Sequence, residues 1–474
     1  MTTLIQTLAE FATQTQYADL PASVAEESRR LLLDSIGCAI GGLSHSRGTI
    51  AVDYARLQGP GAPGSQARVL GTALRTSINA ASFANAELIT TLDYDAILPP
   101  GHVTPYVLPG ALAFAEAGAV SGRQLLCAIA VAHEMSHRIG KAQDYLRDVK
   151  DGKISPPPVH GYSSTVFGAT AAIGMVKGHS VQTVAHAMGI AGSMAPVNSQ
   201  WSFSVHPSFA SVKYHVAGQL ANTATHAAML AELGHTGDLD LLDDPDCGWR
   251  RMINTSRWDI QRITPALGRE WWFPNEQSYK PYPHCRILHA PLDALAEVLE
   301  THQIQVQEIE QIRAWVEGFV MQPLWLNKTI EHVTQAQFSM AHGLSVGAHR
   351  IPVGKRWQSP EVVFDPSVLA LMEKIHFEVH PDYENQLGGN AASRPARIEV
   401  QARGQRFTAE RRYPKGSPSP DASTRLSNEA LVAKFAGNAE GVLEPRAIDA
   451  AASLVWSLDS AQDLAELMRL VTTA

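Results

Sequence analysis

The sequence predicts a mainly α protein in which a large all-helical domain, built from both ends of the chain, carries a smaller inserted α+β domain. Three observations point there. Apolar and small residues recur at helical spacing from the N-terminus to about residue 233, and again from residue 428 onward. Between these stretches the pattern turns to alternation at residues 308–316, 397–402 and 406–411, the last two joined through Gly404 as in a hairpin. A chain of 474 residues also exceeds what one small core organises. Two domains are therefore expected, 1–274 plus 413–474 and 275–412.

Residues 1–55 are expected to form two amphipathic helices. The second, over 24–40, puts Leu31, Leu32, Ile36, Ala39 and Ile40 on one face before Gly41-Gly42 stops it. Residues 59–64, GPGAPG, match a dinucleotide fingerprint in letters, but the prolines remove amides that phosphates would need and no helix follows. That stretch is a loop. Small-residue helices over 77–91 and 110–117 form the buried centre of the helical domain. Between them lies LDYDAILPPGHVTPYVLPG, residues 92–110, with Asp93, Asp95 and His102 among four prolines. Proline fixes φ and removes a donor, so this segment is expected to be a rigid irregular loop, the usual seat of chemistry on a helical scaffold. Asp-x-Asp beside prolines is equally ordinary turn chemistry, and the surroundings must decide.

The helix over 122–140 contains His133-Glu134-Met135-Ser136-His137, a literal HExxH. Imidazoles at i and i+4 share a helix face, and the glutamate beside them suits a general base on zinc. Position 143, where a third histidine would complete one such motif, is Gln143, so a structural helix face is the expectation. Residues 143–158 form a loop ending in Pro156-Pro157-Pro158. Ser163, Ser164 and Thr165 then precede a helix over 166–176, whose amides they are expected to cap. A helix over 182–195, an irregular stretch over 201–207 and a helix opened by Lys213 and reaching 233 complete this part. Tyr279 to Arg286 is dense in acid, base and cation and is held by prolines. Helices over 288–301 and 334–348 join the three strands, and tail helices over 428–435 and 445–470 pack back on the first domain.

A hydrophobic content of 45% with 18% charged residues belongs to a soluble globular protein. No apolar run reaches membrane-spanning length and no basic leader opens the chain, so no membrane contact and a cytoplasmic location are expected. The cysteines Cys38, Cys127, Cys247 and Cys285 are too widely spaced for a metal clip and are expected as free thiols. A net charge of −8 argues against a nucleic-acid partner. An anionic substrate would need a local basic cluster.

Six stretches together carry a resemblance: LLLDSIGCAIGG, LDYD…GHVTPYVLPGALAFAEAGAVSGRQLL, the lysine and small-residue run at 213–218, KPYPHCRILHAPLDAL, AQFSMAHGLSVGA and RRYPKGSPSP…LSNEALVAKF. In this order over the full length they resemble the MmgE/PrpD family, whose members include 2-methylcitrate dehydratase, cis-aconitate decarboxylase and iminodisuccinate epimerase. The resemblance implies a helical domain with an inserted α+β lid, a homodimer, and neither metal nor organic cofactor. It places the family's aspartate on Asp93, its loop histidine on His102, its lysine on Lys213 and its KPYP…C segment on Lys280 to Cys285. Two positions depart. Ile97 stands where many members have threonine, and Tyr162-Ser163-Ser164 where they have Trp-His-Pro, which leaves His160 or His284 to replace the missing histidine.

The reactions implied share one demand: a carbanion or enolate must form beside a carboxylate, with a base at carbon, an acid at the leaving group and cations on the carboxylates. Asp93, His102, Lys213 and His284 are the candidates for catalysis. Tyr162, Ser163, Lys280, Cys285 and Arg286 are the candidates for binding a small di- or tricarboxylate. A dehydratase is the expected activity, with a decarboxylase or epimerase as the alternative. An inactive carboxylate-binding protein and a metallohydrolase are the readings from other classes.

Overall fold

A computed structural model describes residues 2–473 apart from 146, 152, 155, 156, 158, 160, 199, 207–209, 214, 215 and 391. It is mainly α, with a small α+β part. The N-terminal run gives α1 (Leu4–Gln14), α2 (Ala22–Gly42) and α3 (Ser46–Leu57), three helices where two were expected. The third lacks a strong apolar stripe: it exposes Ile50, Tyr54 and Leu57 and buries small residues instead. Gly48 comes so close to α2 that a Cβ there would lie 2.1 Å from the Gly42 carbonyl oxygen. Residues 59–64 are loop, as the prolines require.

The buried centre is formed by α4 (Ile78–Thr90), α5 (Thr104–Ala117), α6 (Gly122–Ala142), α7 (Thr165–Lys177), α8 (Val181–Met194) and, after the short α9 (Gln200–Val205), α10 (Ala217–Glu232). Small residues set their spacing. A Cβ on Gly168 of α7 would stand 2.5 Å from the Ala132 carbonyl oxygen of α6. Three expectations need correction. Residues 104–109 are helix rather than loop: Pro105 sits in the first turn, where its missing N–H has no partner to lose, and only Pro109 lies inside. Residues 200–205 are helical rather than irregular. Lys213 precedes α10 instead of opening it, because Val216 is extended (φ −74°, ψ 102°) and starts the helix at Ala217.

The apolar side chains fall into two cores. One draws on residues from Leu4 to Tyr279 and from Leu431 to Val471, the other on residues from Cys285 to Ala402. The chain ends meet where the helix Asn428–Ala439 lies on α2, close enough that a Cβ on Gly37 would touch Phe435 at 3.1 Å. The second core lies between helices and a four-stranded sheet ordered Ile375–Val379, Ile309–Val316, Ala396–Ala402, Gln405–Arg411. The last two form the expected hairpin, turning at Arg403 (φ 54°) and Gly404 (φ 68°). Ile375–Val379 pairs in parallel with Ile309–Val316. That strand was missed because it is a short edge strand with little burial and gives no alternating signal.

Candidate functional site

The site residues stand at helix mouths around one point: Asp93 just past α4, His102 before α5, Tyr162 before α7, Lys213 before α10, and Lys280 to Cys285 in the segment between the two cores. Asp93 is fully buried and has φ 51°, the left-handed region that costs a side chain energy and that aspartate tolerates better than most. Its Oδ1 accepts from Lys213 Nζ at 3.2 Å and its Oδ2 from Lys280 Nζ at 2.6 Å. Burial alone would raise the Asp93 carboxyl, but the two ammoniums outweigh it and hold it well below the usual carboxylate range. One carboxylate shared between two ammoniums cannot neutralise both. Burial, with Arg47 and Lys280 adding to it, accordingly pulls Lys213 down to about 8 against the attraction of Asp93.

His102 Nδ1 donates to Asp95 Oδ2 at 2.6 Å, while its Nε2 is 3.7 Å from Asp93 Oδ1. Burial would raise Asp95, but His102 lowers it further, so the pair is a carboxylate orienting an imidazole. Tyr162 meets the His102 ring edge-on, 6.1 Å between centroids, and fills the space beside Gly101, where a Cβ would lie 1.9 Å from the tyrosine Cε1. Burial holds the Tyr162 hydroxyl well above its usual value, so it stays a phenol.

The backbone at Asp93 is held from outside. Five consecutive carbonyls accept side-chain donors: Thr90 from Lys213, Thr91 from Gln337 at 2.6 Å, Leu92 from Gln358 at 2.7 Å, Asp93 from Lys280 at 2.7 Å and Tyr94 from Lys434 at 2.6 Å. Lys434 also pairs with buried Asp34 at 2.7 Å. The donors come from both cores, and together they hold the strained residue in place.

His284 donates toward the Ser339 carbonyl at 3.2 Å through Nε2, and burial pulls it down to about 4, so it is a neutral imidazole at pH 7. Burial raises the Cys285 thiol, which is therefore a wall group rather than a nucleophile. Ser163 is buried and donates to the Pro196 carbonyl at 2.5 Å; Ser164 donates to Gly161 and Thr165 to Tyr162. The expected capping of α7 is thus corrected: a 3₁₀ turn at Gly161–Ser164 runs straight into the helix, so the Ser164 and Thr165 hydroxyls face that turn's carbonyls, Ser163 faces Pro196, and the N-cap Ser164 side chain makes no capping hydrogen bond. Arg286 stands apart from Asp93, bonded to the Lys415 carbonyl at 2.8 Å and to Ser417 at 2.5 Å. His160 lies outside the described residues.

The HExxH residues are engaged elsewhere. His133 bonds Thr104 at 2.9 Å and the Ile129 carbonyl at 2.7 Å, His137 faces the Pro99 carbonyl at 3.1 Å, and Glu134 binds Arg138 at 2.6 Å and two backbone amides. Among the described residues no group of three or more His, Cys, Asp or Glu could hold a metal ion.

Residues 6–261 match the model for the MmgE/PrpD N-terminal domain and residues 282–459 that for the C-terminal domain. The chain belongs to the MmgE/PrpD family. It is 24% identical to a cis-aconitate decarboxylase-like protein, oryM, of Aspergillus oryzae over 98% of this chain and 96% of that one. It is 26% identical to the cis-aconitate decarboxylase of Aspergillus terreus over 58% of this chain and 56% of that one. The cis-aconitate decarboxylase of Homo sapiens is likewise 26% identical, over 58% and 55%. These matches support a lyase of the MmgE/PrpD family. Among the described residues, no helix is long and apolar enough to cross a membrane.

Several residues of this MmgE/PrpD site were not singled out from the sequence. Asp95 was noted only as a neighbour of Asp93, and Gln337, Gln358 and Lys434 carried no signal, because an amide or ammonium that binds a backbone carbonyl leaves no spacing pattern.

Proposed function

We propose that the protein is a cofactor-independent lyase that acts on a small di- or tricarboxylate, removing CO2 in preference to water. The observation that carries this reading is the Asp93 cluster: a carboxylate fixed between two buried ammoniums, with an imidazole 3.7 Å away that is oriented by Asp95. Lys213, at about 8, exchanges a proton near neutral pH, as a base at carbon or a donor to an enolate must. His102, backed by Asp95, is the complementary acid/base group. Lys280 stabilises charge that develops on a substrate carboxylate as its neighbouring carbon turns carbanionic. Preference for CO2 loss over the dehydration expected at first rests on the relatives, three of which are named for decarboxylation of cis-aconitate or likeness to it.

The test is turnover by purified protein on a panel of unsaturated and hydroxylated di- and tricarboxylates, with released CO2 and alkene absorbance followed in parallel. CO2 release that falls by about 10²–10⁴ in His102→Asn is expected. Alkene formation without CO2 would turn the assignment to a hydro-lyase, and no turnover of any carboxylate would defeat it.

A further inference from the structure

A cavity of about 390 Å³ lies beside the Asp93 loop, and its wall is strongly cationic. Lys141, Arg147, Arg257, Arg262, Arg286 and Arg394 line it, against the two carboxylates Asp148 and Glu276. Half of these cations have a carboxylate of their own: Lys141 has Glu276 at 3.2 Å, Arg257 has Asp148 at 3.0 Å and Arg262 has Asp259 at 2.8 Å. Arg147 and Arg394 share one acid, and Arg286 has no carboxylate within ion-pair distance among the described residues. Glu317 holds Arg147 at 2.6 and 2.8 Å and meets Arg394 only at 3.4 Å, while the polar partners of Arg286 are a carbonyl, a hydroxyl and the His289 ring. Among the described residues the six cations thus face five carboxylates, Asp148, Glu276, Asp259, Glu317 and, acting on Arg286, Asp293, a local surplus of one in a chain whose net charge is −8. Burial first, and then the Arg394 guanidinium, pull Arg286 down to about 9 against the attraction of Asp293.

The cavity is within reach of the Asp93 cluster. Ile97 and Ser278 line it and bond to each other through both backbone pairs, at 2.8 and 2.9 Å. Asp95 and Lys280 stand two residues along each of these segments, at most about 7 Å of extended chain. We propose that Arg394 and Arg286, with Arg147 fixed behind them by Glu317, bind an anionic group of the substrate remote from the reacting carbon, so that this wall selects substrates by the number of their carboxylates. Guanidinium forks suit a planar carboxylate, and a surplus of cations suits a ligand that brings one charge beyond those met at Lys213 and Lys280. The inference rests on the carboxylate-lyase reading, and it is tested by binding so that the two can fail separately.

Arg394→Gln is the variant of choice, because Arg147 alone still pairs with Glu317 and the fold survives. Dissociation constants are measured by calorimetry for propane-1,2,3-tricarboxylate, succinate and inorganic phosphate, with Arg403→Gln as a control that removes a lid charge outside the cavity. A lost charge-assisted hydrogen bond corresponds to about tenfold or more in affinity. The tricarboxylate should therefore bind about tenfold tighter than succinate to the native protein, and Arg394→Gln should close that gap while Arg403→Gln leaves it. Phosphate that competes with the tricarboxylate supports the assignment. Phosphate that binds alongside it, or a tricarboxylate-to-succinate ratio unchanged in folded Arg394→Gln, overturns it. A protein with the expected binding pattern that turns over no carboxylate would sink the lyase reading alone.

Discussion

Replacing Lys213 with methionine removes a buried ammonium but keeps most of the side chain's volume, and its effect on stability should depend on pH. In the folded protein burial pulls this group from 10.5 down to about 8. In the unfolded chain it titrates near the ordinary lysine value. Between the two values the unfolded state holds a proton that the native state lacks, so rising pH favours the native protein. Each unit is worth about 1.36 kcal/mol, so the stability of the native protein relative to Lys213→Met should rise by roughly 3 kcal/mol across that window and level off on either side. The variant itself should fold, since Lys280 still pairs with Asp93 at 2.6 Å. Urea unfolding of both proteins at a series of pH values from below 8 to above 10.5 measures the difference, with equal m-values as the check that both unfold alike. A difference that stays flat would refute the shared-carboxylate argument and with it the role of Lys213 as a base near neutrality.

Other outcomes follow from the same geometry. His102→Asn keeps a hydrogen bond to Asp95 but loses the titrating proton, so kcat should fall by about 10²–10⁴ while KM changes little; near-native turnover in a folded variant would remove His102 from the chemistry. Glu134→Gln should cost roughly 3 kcal/mol in chemical denaturation, because Arg138 would be left buried without its carboxylate, whereas chelators should leave both activity and thermal midpoint unmoved. A chelator-induced drop restored by zinc would revive the metal reading. Gln358→Leu strips donors from the buried Leu92 and Pro283 carbonyls and should destabilise by about 1–3 kcal/mol for each, with a larger loss in kcat than in substrate affinity. Gly101→Ala places a Cβ inside the Tyr162 ring at a glycine-only φ of 154°, and a thermal midpoint near that of the native protein would show that the loop and ring are not packed as described.

Much of the helical part was legible because burial on one face writes a 3.6-residue period into the chain, as in α1 and the tail helix Pro445–Trp456. It failed where packing works through small residues, as at α3, or where prolines occupy a first turn, as in α5. The hairpin at Gly404 was legible from its turn chemistry, whereas the polar edge strand Ile375–Val379 was not. In the site, Asp93, His102, Lys213 and Lys280 were picked out and do converge. Arg286 was picked out as well, yet it faces the neighbouring cavity, a distinction only three-dimensional placement could draw. Ser163 looked like a helix cap and is a donor to Pro196, since nothing in Ser-Ser-Thr tells whether the helix or a preceding turn takes the hydroxyls.

The five captured carbonyls from Thr90 to Tyr94 also constrain the order in which the molecule is put together. Their donors lie 123, 246, 266, 187 and 340 residues further along the chain. Loop closures of that length are entropically costly and form late. A nascent polypeptide that has emerged as far as residue 261 possesses Asp93, His102 and Lys213 but lacks four of the five donors, so its carboxylate has no reason to adopt the left-handed backbone it shows in the finished protein. Chemical competence therefore arrives only with the tail helix that carries Lys434, and an N-terminal half produced alone should fold its helices without acquiring the site.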